Sequence, residues 1–276
     1  MRRVKKIVHY QNKWLGKGSV IVVMDTGAVL HPELRGRILL FRDFINGRYD
    51  LYDDNGHGTH VCGMISGNNI GIAPQAQLIV LKVLDEDGNG SVENSMRAFR
   101  WILENREKYN IRIVNISMGM KPQTNDRGEH YILGAVDLLW SMGMVVVAAA
   151  GNLGPKPGSI TIPGVNQNII TVGSFDHQYS GRGSVEKKML KPDLVAPGNH
   201  IYSCNSNFEQ GNLYIEKSGT SMSTPLVTGA VANLLSKYPN MTNVQVKERL
   251  KRSCVDLQMP AVRQGSGMLN IENLLK

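Results

Sequence analysis

Three short segments of this 276-residue sequence combine residue types able to share one proton-transfer reaction. Asp25-Thr26-Gly27 ends an apolar run and presents a carboxylate with a glycine just behind it. Asn55-Gly56-His57-Gly58-Thr59-His60 sets an imidazole between glycines near an expected helix start. Ser218-Gly219-Thr220-Ser221-Met222-Ser223-Thr224-Pro225 puts a serine at another helix start. Each has an ordinary reading on its own. An acidic turn after a strand is common, two histidines three apart can ligate a metal or cap a helix, and Ser or Thr is what helix starts prefer. Their joint occurrence, in the order acid, base, nucleophile, points to chemistry. A serine hydroxyl attacks an amide at neutral pH only if a neighbouring base takes its proton, and an imidazole can take that proton and return it to a leaving amine.

Groups this far apart in the chain need a scaffold that brings them together. Short β-branched runs at 20–24, 78–83, 111–116, 145–149 and 169–172 predict buried strands. Helices are predicted over 59–66, 91–107, 131–141, 221–237 and 243–253. Strand and helix in alternation imply an α/β fold, a mostly parallel central sheet with helices on both faces in three layers. In such sheets, functional residues gather beyond the carboxyl ends of the strands, where these polar segments fall.

The composition narrows the function classes. Apolar residues at 42% and charged residues at 20% are ordinary for a globular chain, so a buried core is expected and disorder is not. Neither a repeat nor a low-complexity linker divides residues 1–276, which read as one domain. A net charge of +8 raises the question of anionic partners. The basic residues are scattered, with short clusters at 2–6 and 187–191, and no basic helix interleaved with aromatics suggests nucleic-acid binding. No apolar run is long enough for a membrane span. Cys62, Cys204 and Cys254 are too few, and odd in number, for a disulfide framework and are expected as free thiols.

Six blocks carry a family resemblance: the three segments above, Val145-Val146-Val147-Ala148-Ala149-Ala150-Gly151-Asn152, and the pair Asn115-Ile116-Ser117-Met118-Gly119 and Lys191-Pro192-Asp193-Leu194-Val195-Ala196-Pro197-Gly198. Together they resemble the signature blocks of the subtilisin-like serine proteases, the subtilases, from about residue 17 to about residue 239. The resemblance implies a serine endopeptidase with Asp25, His57 and Ser221 as its triad, acting through an acyl-enzyme. It makes the Asn152 amide and the Ser221 backbone N–H the oxyanion hole. It also implies that Ser117, Met118 and Gly119, with Ala149, Ala150 and Gly151, wall the primary specificity pocket. Gly88 and Gly90 would flank an extended peptide on the other side. Small wall residues with apolar Met118 and Leu153 predict a preference for large uncharged side chains before the scissile bond. The partners implied are peptide or protein substrates.

Departures from the family pattern carry expectations too. No cofactor is implied for the chemistry. Loop 66–71, where relatives have a longer calcium-binding loop, is short, and Glu33 stands in place of the usual Asp, so a strong calcium site is not expected there and any metal ligands are unknown. Ser223, Leu226 and Thr228 replace the more usual Ala, His and Ala. Cys62 stands where alanine is usual and reads as a small buried hydrophobe. Only 24 residues precede Asp25 and they hold no apolar leader, which favours a cytoplasmic enzyme without a prodomain over a secreted mature one. A catalytically silent subtilase scaffold used for binding is one alternative function. An aspartic protease is another, since Asp25-Thr26-Gly27 resembles that family's turn, although those proteins are all-β.

Overall fold

The computed structural model describes residues 1–122, 127–186 and 188–276; Lys187, in the second basic cluster, lies outside them. The five predicted strands and two unpredicted ones, β2 and β7, form one parallel sheet: β1 (Val20–Asp25), β2 (Ile38–Asp43), β3 (Gln77–Lys82), β4 (Ile111–Ile116), β5 (Val145–Ala149), β6 (Ile170–Ser174) and β7 (Leu194–Ala196), in the order β2-β3-β1-β4-β5-β6-β7. The chain adds strands to one side of β1 and then crosses to the other with β4. That reversal opens a crevice beyond the carboxyl end of β1, where Asp25 lies opposite Lys82 of β3.

Both sheet faces are buried, which explains why the central strands read as unbroken apolar runs. On one face Ile21, Val23, Leu78, Val80, Ile113, Val145 and Val147 pack with α2 (His57–Ser66) and α5 (Thr220–Lys237). On the other, Val22, Met24, Ile79, Leu81, Val114 and Val146 meet α3 (Val92–Asn105) and α4 (Arg127–Ser141). The expected three layers are therefore present.

Helix α5 is the central rod. It packs against α2, β4, β5 and β6, and from Met222 to Leu235 its residues are buried throughout. The unusual residues at its start have partners inside the core. Ser223 Oγ donates to the carbonyls of Ala196 and Pro197, both at 3.1 Å, and Thr228 Oγ1 donates to Asn115 Oδ1 at 2.8 Å. Leu226 is fully buried among apolar neighbours.

Several elements were not anticipated. Helix α1 (Arg2–Ile7) precedes the sheet, α6 (Asn243–Ser253) has the predicted bounds, and α7 (Ala261–Gln264) and α8 (Ile271–Leu275) follow it. An antiparallel hairpin of β8 (Ile201–Cys204) and β9 (Tyr214–Lys217) lies over α2. It is fastened by His60, whose Nε2 donates to the carbonyls of Ile201 at 3.1 Å and Ile215 at 3.2 Å. All three cysteines are free thiols, with Cys62 and Cys204 fully buried.

Candidate active site

Asp25 is the last residue of β1 and is fully buried. His57 is the first residue of α2, two positions earlier than the predicted helix start, because Gly56 takes a left-handed φ of 88° and turns the chain directly into the helix. The two loops approach backbone to backbone. A Cβ on Gly58 would lie 2.1 Å from the Gly27 carbonyl oxygen, and one on Gly27 would lie 2.2 Å from that of Tyr52. Only glycine at both positions lets His57 Nδ1 reach Asp25 Oδ1 at 2.7 Å. The same oxygen accepts the Thr26 N–H at 2.8 Å.

The imidazole responds to this setting. Burial disfavours its charged form, but the charge and hydrogen bond of Asp25 outweigh burial; Asp53 adds to them, Lys217 opposes them, and the net effect raises the His57 pKa above its ordinary value. His60, one turn further on, behaves in the opposite way. Burial, with the neighbouring His57 charge adding to it, lowers its pKa to about 3. Its Nε2 carries the proton that the hairpin carbonyls accept, and its buried Nδ1 has no protein partner among the described residues. Two histidines three apart thus have unlike surroundings, and no group of three His, Cys, Asp or Glu that could hold a metal ion is found among the described residues.

Ser221 lies in the first turn of α5, behind Gly219 at φ 140°. Asn152 follows β5 and is oriented by the residue before the serine. Its Oδ1 accepts the Thr220 N–H at 3.0 Å and the Thr220 hydroxyl at 3.3 Å. The Thr220 Oγ1 in turn accepts the Gly151 N–H at 3.1 Å. With its oxygen so engaged, the Asn152 amide turns its Nδ2 donor, which has no hydrogen-bond partner among the described residues, toward the side of Gly219 and Ser221.

His57, Asn152 and Ser221 line one cleft of about 480 Å³. No hydrogen bond joins His57 to Ser221 among the described residues; in ligand-free enzymes such bonds are often long and tighten with substrate. Ser117, Met118, Gly119, Ala149, Gly151 and Gly88 also line the cleft, as does Leu153. Ala150 does not: it is fully buried behind the wall, its N–H bonded to the Val172 carbonyl. Gly90 lines an adjoining apolar recess of about 280 Å³, together with Leu84, Phe99, Ile116, Met118 and Ile132. A larger groove of about 880 Å³ around Lys237 and Arg249 is lined by none of Asp25, His57 and Ser221, so volume alone does not locate the candidate site.

Sequence reasoning missed several residues here. Thr161 fills the space between Gly119 and Gly151, where a Cβ on either glycine would come within 2.4 Å of it. Thr220 sets the Asn152 amide, and Asp53 organises the histidine loop. The acid ahead of Asn-Gly was the one legible signal, since Asp there bonds to backbone N–H groups just downstream.

The short loop near Glu33 does not suit a strong calcium site. Glu33 spends both oxygens within the protein, accepting from Asn69 N at 2.7 Å, Asn69 Nδ2 at 3.1 Å, Ile70 N at 3.4 Å and Tyr214 OH at 2.7 Å. The Lys5 ammonium takes the Asn69 carbonyl at 3.1 Å. Calcium needs about six to eight oxygen ligands, and here the carboxylate is engaged while a cation already sits on the loop.

Comparison with known proteins gives a consistent result. Residues 16–268 match the model of the subtilase family. Serine protease AprX of Bacillus subtilis (strain 168) is 36% identical, the match covering 98% of this chain and 69% of that protein. Subtilisin Savinase of Lederbergia lenta is 35% identical, with 98% and 95% covered. Among solved structures, sphericase aligns with a TM-score of 0.84 at 28% identity over 97% of this chain and 96% of its own. A cold adapted subtilisin-like serine proteinase aligns at 0.78 with 29% identity, covering 94% and 90%.

Proposed function

The chain belongs to the subtilase family and is a serine endopeptidase, and on that premise we propose that Ser221 is its nucleophile, His57 its general base and Asp25 the group that holds the imidazole. The observation that carries this reading is the 2.7 Å bond between His57 Nδ1 and Asp25 Oδ1, on a cleft that Ser221 shares. With Nδ1–H donated to Asp25, Nε2 is left as the acceptor for the serine proton. The hydroxyl oxygen then attacks the scissile carbonyl, and His57 passes the proton to the departing amine. Water repeats the sequence to release the acyl group. The oxyanion is met by Asn152 Nδ2 and the Ser221 N–H at the start of α5, where unpaired N–H groups favour negative charge. These steps draw on side chains and backbone alone.

The backbone of 117–119, which has no backbone hydrogen bond among the described residues, and the bridged Leu84 to Gly90 segment flank the cleft, which supports an extended peptide lying between them by strand addition. Met118, Ala149, Gly151 and Thr161 support a large uncharged side chain before the scissile bond. The adjoining recess offers apolar cover for a residue further upstream. Both cores flank one sheet, which supports residues 1–276 folding as one peptidase domain. The parallel α/β sheet is incompatible with the all-β aspartic-protease alternative, and the family relationship favours the enzyme over a silent scaffold. Among the described residues no helix is long and apolar enough to cross a membrane. The subtilisin relatives lend no support to the cytoplasmic expectation.

The test is labelling with a fluorophosphonate followed by peptide mapping. The label is expected on Ser221, and Ser221→Ala should abolish both labelling and casein hydrolysis. Label on another residue, with hydrolysis retained in Ser221→Ala, would refute the assignment. Cleavage of a peptide library strictly after Lys, Arg or Asp would overturn the proposed side-chain preference.

A further inference from the structure

The acid and base of the proposed triad sit 32 residues apart, at the end of β1 and the start of α2, and one 2.7 Å contact between them depends on how those two ends are held. A second, non-reacting carboxylate lies behind both. Asp53 is buried and accepts five hydrogen bonds. Its Oδ1 takes the Thr26 hydroxyl at 2.8 Å, the Gly56 N–H at 2.8 Å and the Asn55 N–H at 3.3 Å. Its Oδ2 takes the Thr59 N–H at 2.8 Å and the Thr59 hydroxyl at 2.6 Å. The Thr26 hydroxyl both donates to Asp53 and accepts the Gly58 N–H at 2.9 Å.

These bonds close a ring. It leaves Asp25 through its neighbour Thr26, crosses the hydroxyl to Asp53, and returns through Gly56, Gly58 and Thr59, the residues on either side of His57. The geometry points to Asp53 and the Thr26 hydroxyl as positioning groups for the reaction, a latch that fixes the carboxylate of Asp25 against the imidazole of His57. Thr26 borders the cleft but is fully buried, Asp53 is buried as well, and neither is one of the proposed reacting groups. Their effect is exerted through the dyad, where an error of about 1 Å costs up to about a hundredfold in rate. Negative charge at the N-terminal end of α2 also suits the helix dipole, so the anion is stabilised where the latch needs it. This inference rests on the assignment of Asp25 and His57 as acid and base.

The experiment compares Thr26→Val, Thr26→Ser and Asp53→Asn with the unaltered enzyme, with rates normalised to active sites titrated by a fluorophosphonate. Thr26→Val replaces the hydroxyl by a methyl group of similar size. It is expected to lower kcat per titrated site about ten- to a hundredfold with KM within about twofold. The acidic limb of kcat/KM should also move to lower pH, because His57 loses part of the carboxylate support that raises its pKa. Thr26→Ser should restore both values, and Asp53→Asn, which sets an amide donor against Thr59, should behave like Thr26→Val.

A purely structural role would lower the titratable fraction and the Tm, leaving the turnover of each titrated site and the position of the acidic limb unchanged. That result in either folded variant, or the absence of rescue by serine, overturns the latch. So does failure of both Thr26→Val and Asp53→Asn to fold, which would make the ring a folding requirement. If the unaltered enzyme is not labelled at Ser221, the triad assignment itself fails. If it is labelled and the variants match it, only the latch fails.

Discussion

His60 should make this enzyme lose stability in mild acid, and the size of the loss follows from its surroundings. Its buried imidazole is neutral, with Nε2–H spent on two hairpin carbonyls and Nδ1 facing no acceptor among the described residues. Burial moves its pKa from an ordinary 6.5 to about 3. The folded protein therefore stays unprotonated here across a range in which the unfolded chain binds a proton. The stabilising contribution is complete above the unfolded pKa and declines as pH falls toward the folded one. Each pH unit in that window costs about 1.4 kcal/mol, so at about pH 4.5 the loss is about 2.7 kcal/mol. The full window approaches about 5 kcal/mol, a large part of the roughly 5–15 kcal/mol typical of a domain.

The assay is urea unfolding of Ser221→Ala, used to prevent self-digestion, at several values between about pH 7 and about pH 4.5, beside the same protein carrying His60→Gln. Glutamine keeps an N–H donor for the carbonyls and does not titrate. It should lower stability by a roughly constant amount and flatten the slope by about 1.4 kcal/mol per pH unit. Carboxylates held down by hydrogen bonds, such as Asp43, are common to both proteins and cancel. An unchanged slope in His60→Gln would refute this account of the buried imidazole.

Further expectations concern rate and reactivity. Asn152→Ala should lower kcat about a hundredfold or more with KM nearly unchanged, the effect of losing the about 2.7–4 kcal/mol known for a subtilisin's oxyanion-hole asparagine; a change confined to KM in steady-state assays would remove Asn152 from that role. Lys217 has no ion-pair partner among the described residues and its charge opposes protonation of His57. Lys217→Gln should therefore move the acidic limb of kcat/KM to higher pH at low salt, and by less at high salt, as expected for charges that face water. An unmoved limb would show that the charge does not reach the imidazole. Cys62 is fully buried and its thiol pKa is raised well above normal, chiefly by burial. A disulfide thiol reagent should leave it unmodified in the native enzyme and react after denaturation; rapid native labelling at Cys62 would contradict the packing.

What the sequence revealed, and what it did not, follows from the range of the forces involved. Strands β4 and β5 and helix α6 have the predicted bounds, since apolar run length and capping residues act locally. Strand β2 is a sheet edge with mixed exposure, so its six residues lack the continuous apolar signature of its neighbours. Strand β7 has only three residues, and the β8–β9 hairpin exposes much of its second strand. At the site, Asp25, His57, Asn152 and Ser221 were visible because each occupies a recognisable block. Thr26, Thr161 and Thr220 were not, because their parts arise from bonds or contacts between segments about 27 to 69 residues apart, whereas Asp53 left a local trace in its bonds to Asn55, Gly56 and Thr59. Ala150 continues the wall residues in the chain, and its N–H extends the β5–β6 ladder to the Val172 carbonyl, leaving its side chain fully buried.

The embedding of α5 bears on how the enzyme ages. Ser221 is carried at the tip of a helix whose body runs through the apolar interior, so the serine cannot drift from its partners unless that interior opens. Heat should therefore erase hydrolysis and cooperative folding in a single step, with no long-lived folded but inert species between them. The slowest-exchanging amides of the molecule should include those just downstream of the Ser221 hydroxyl.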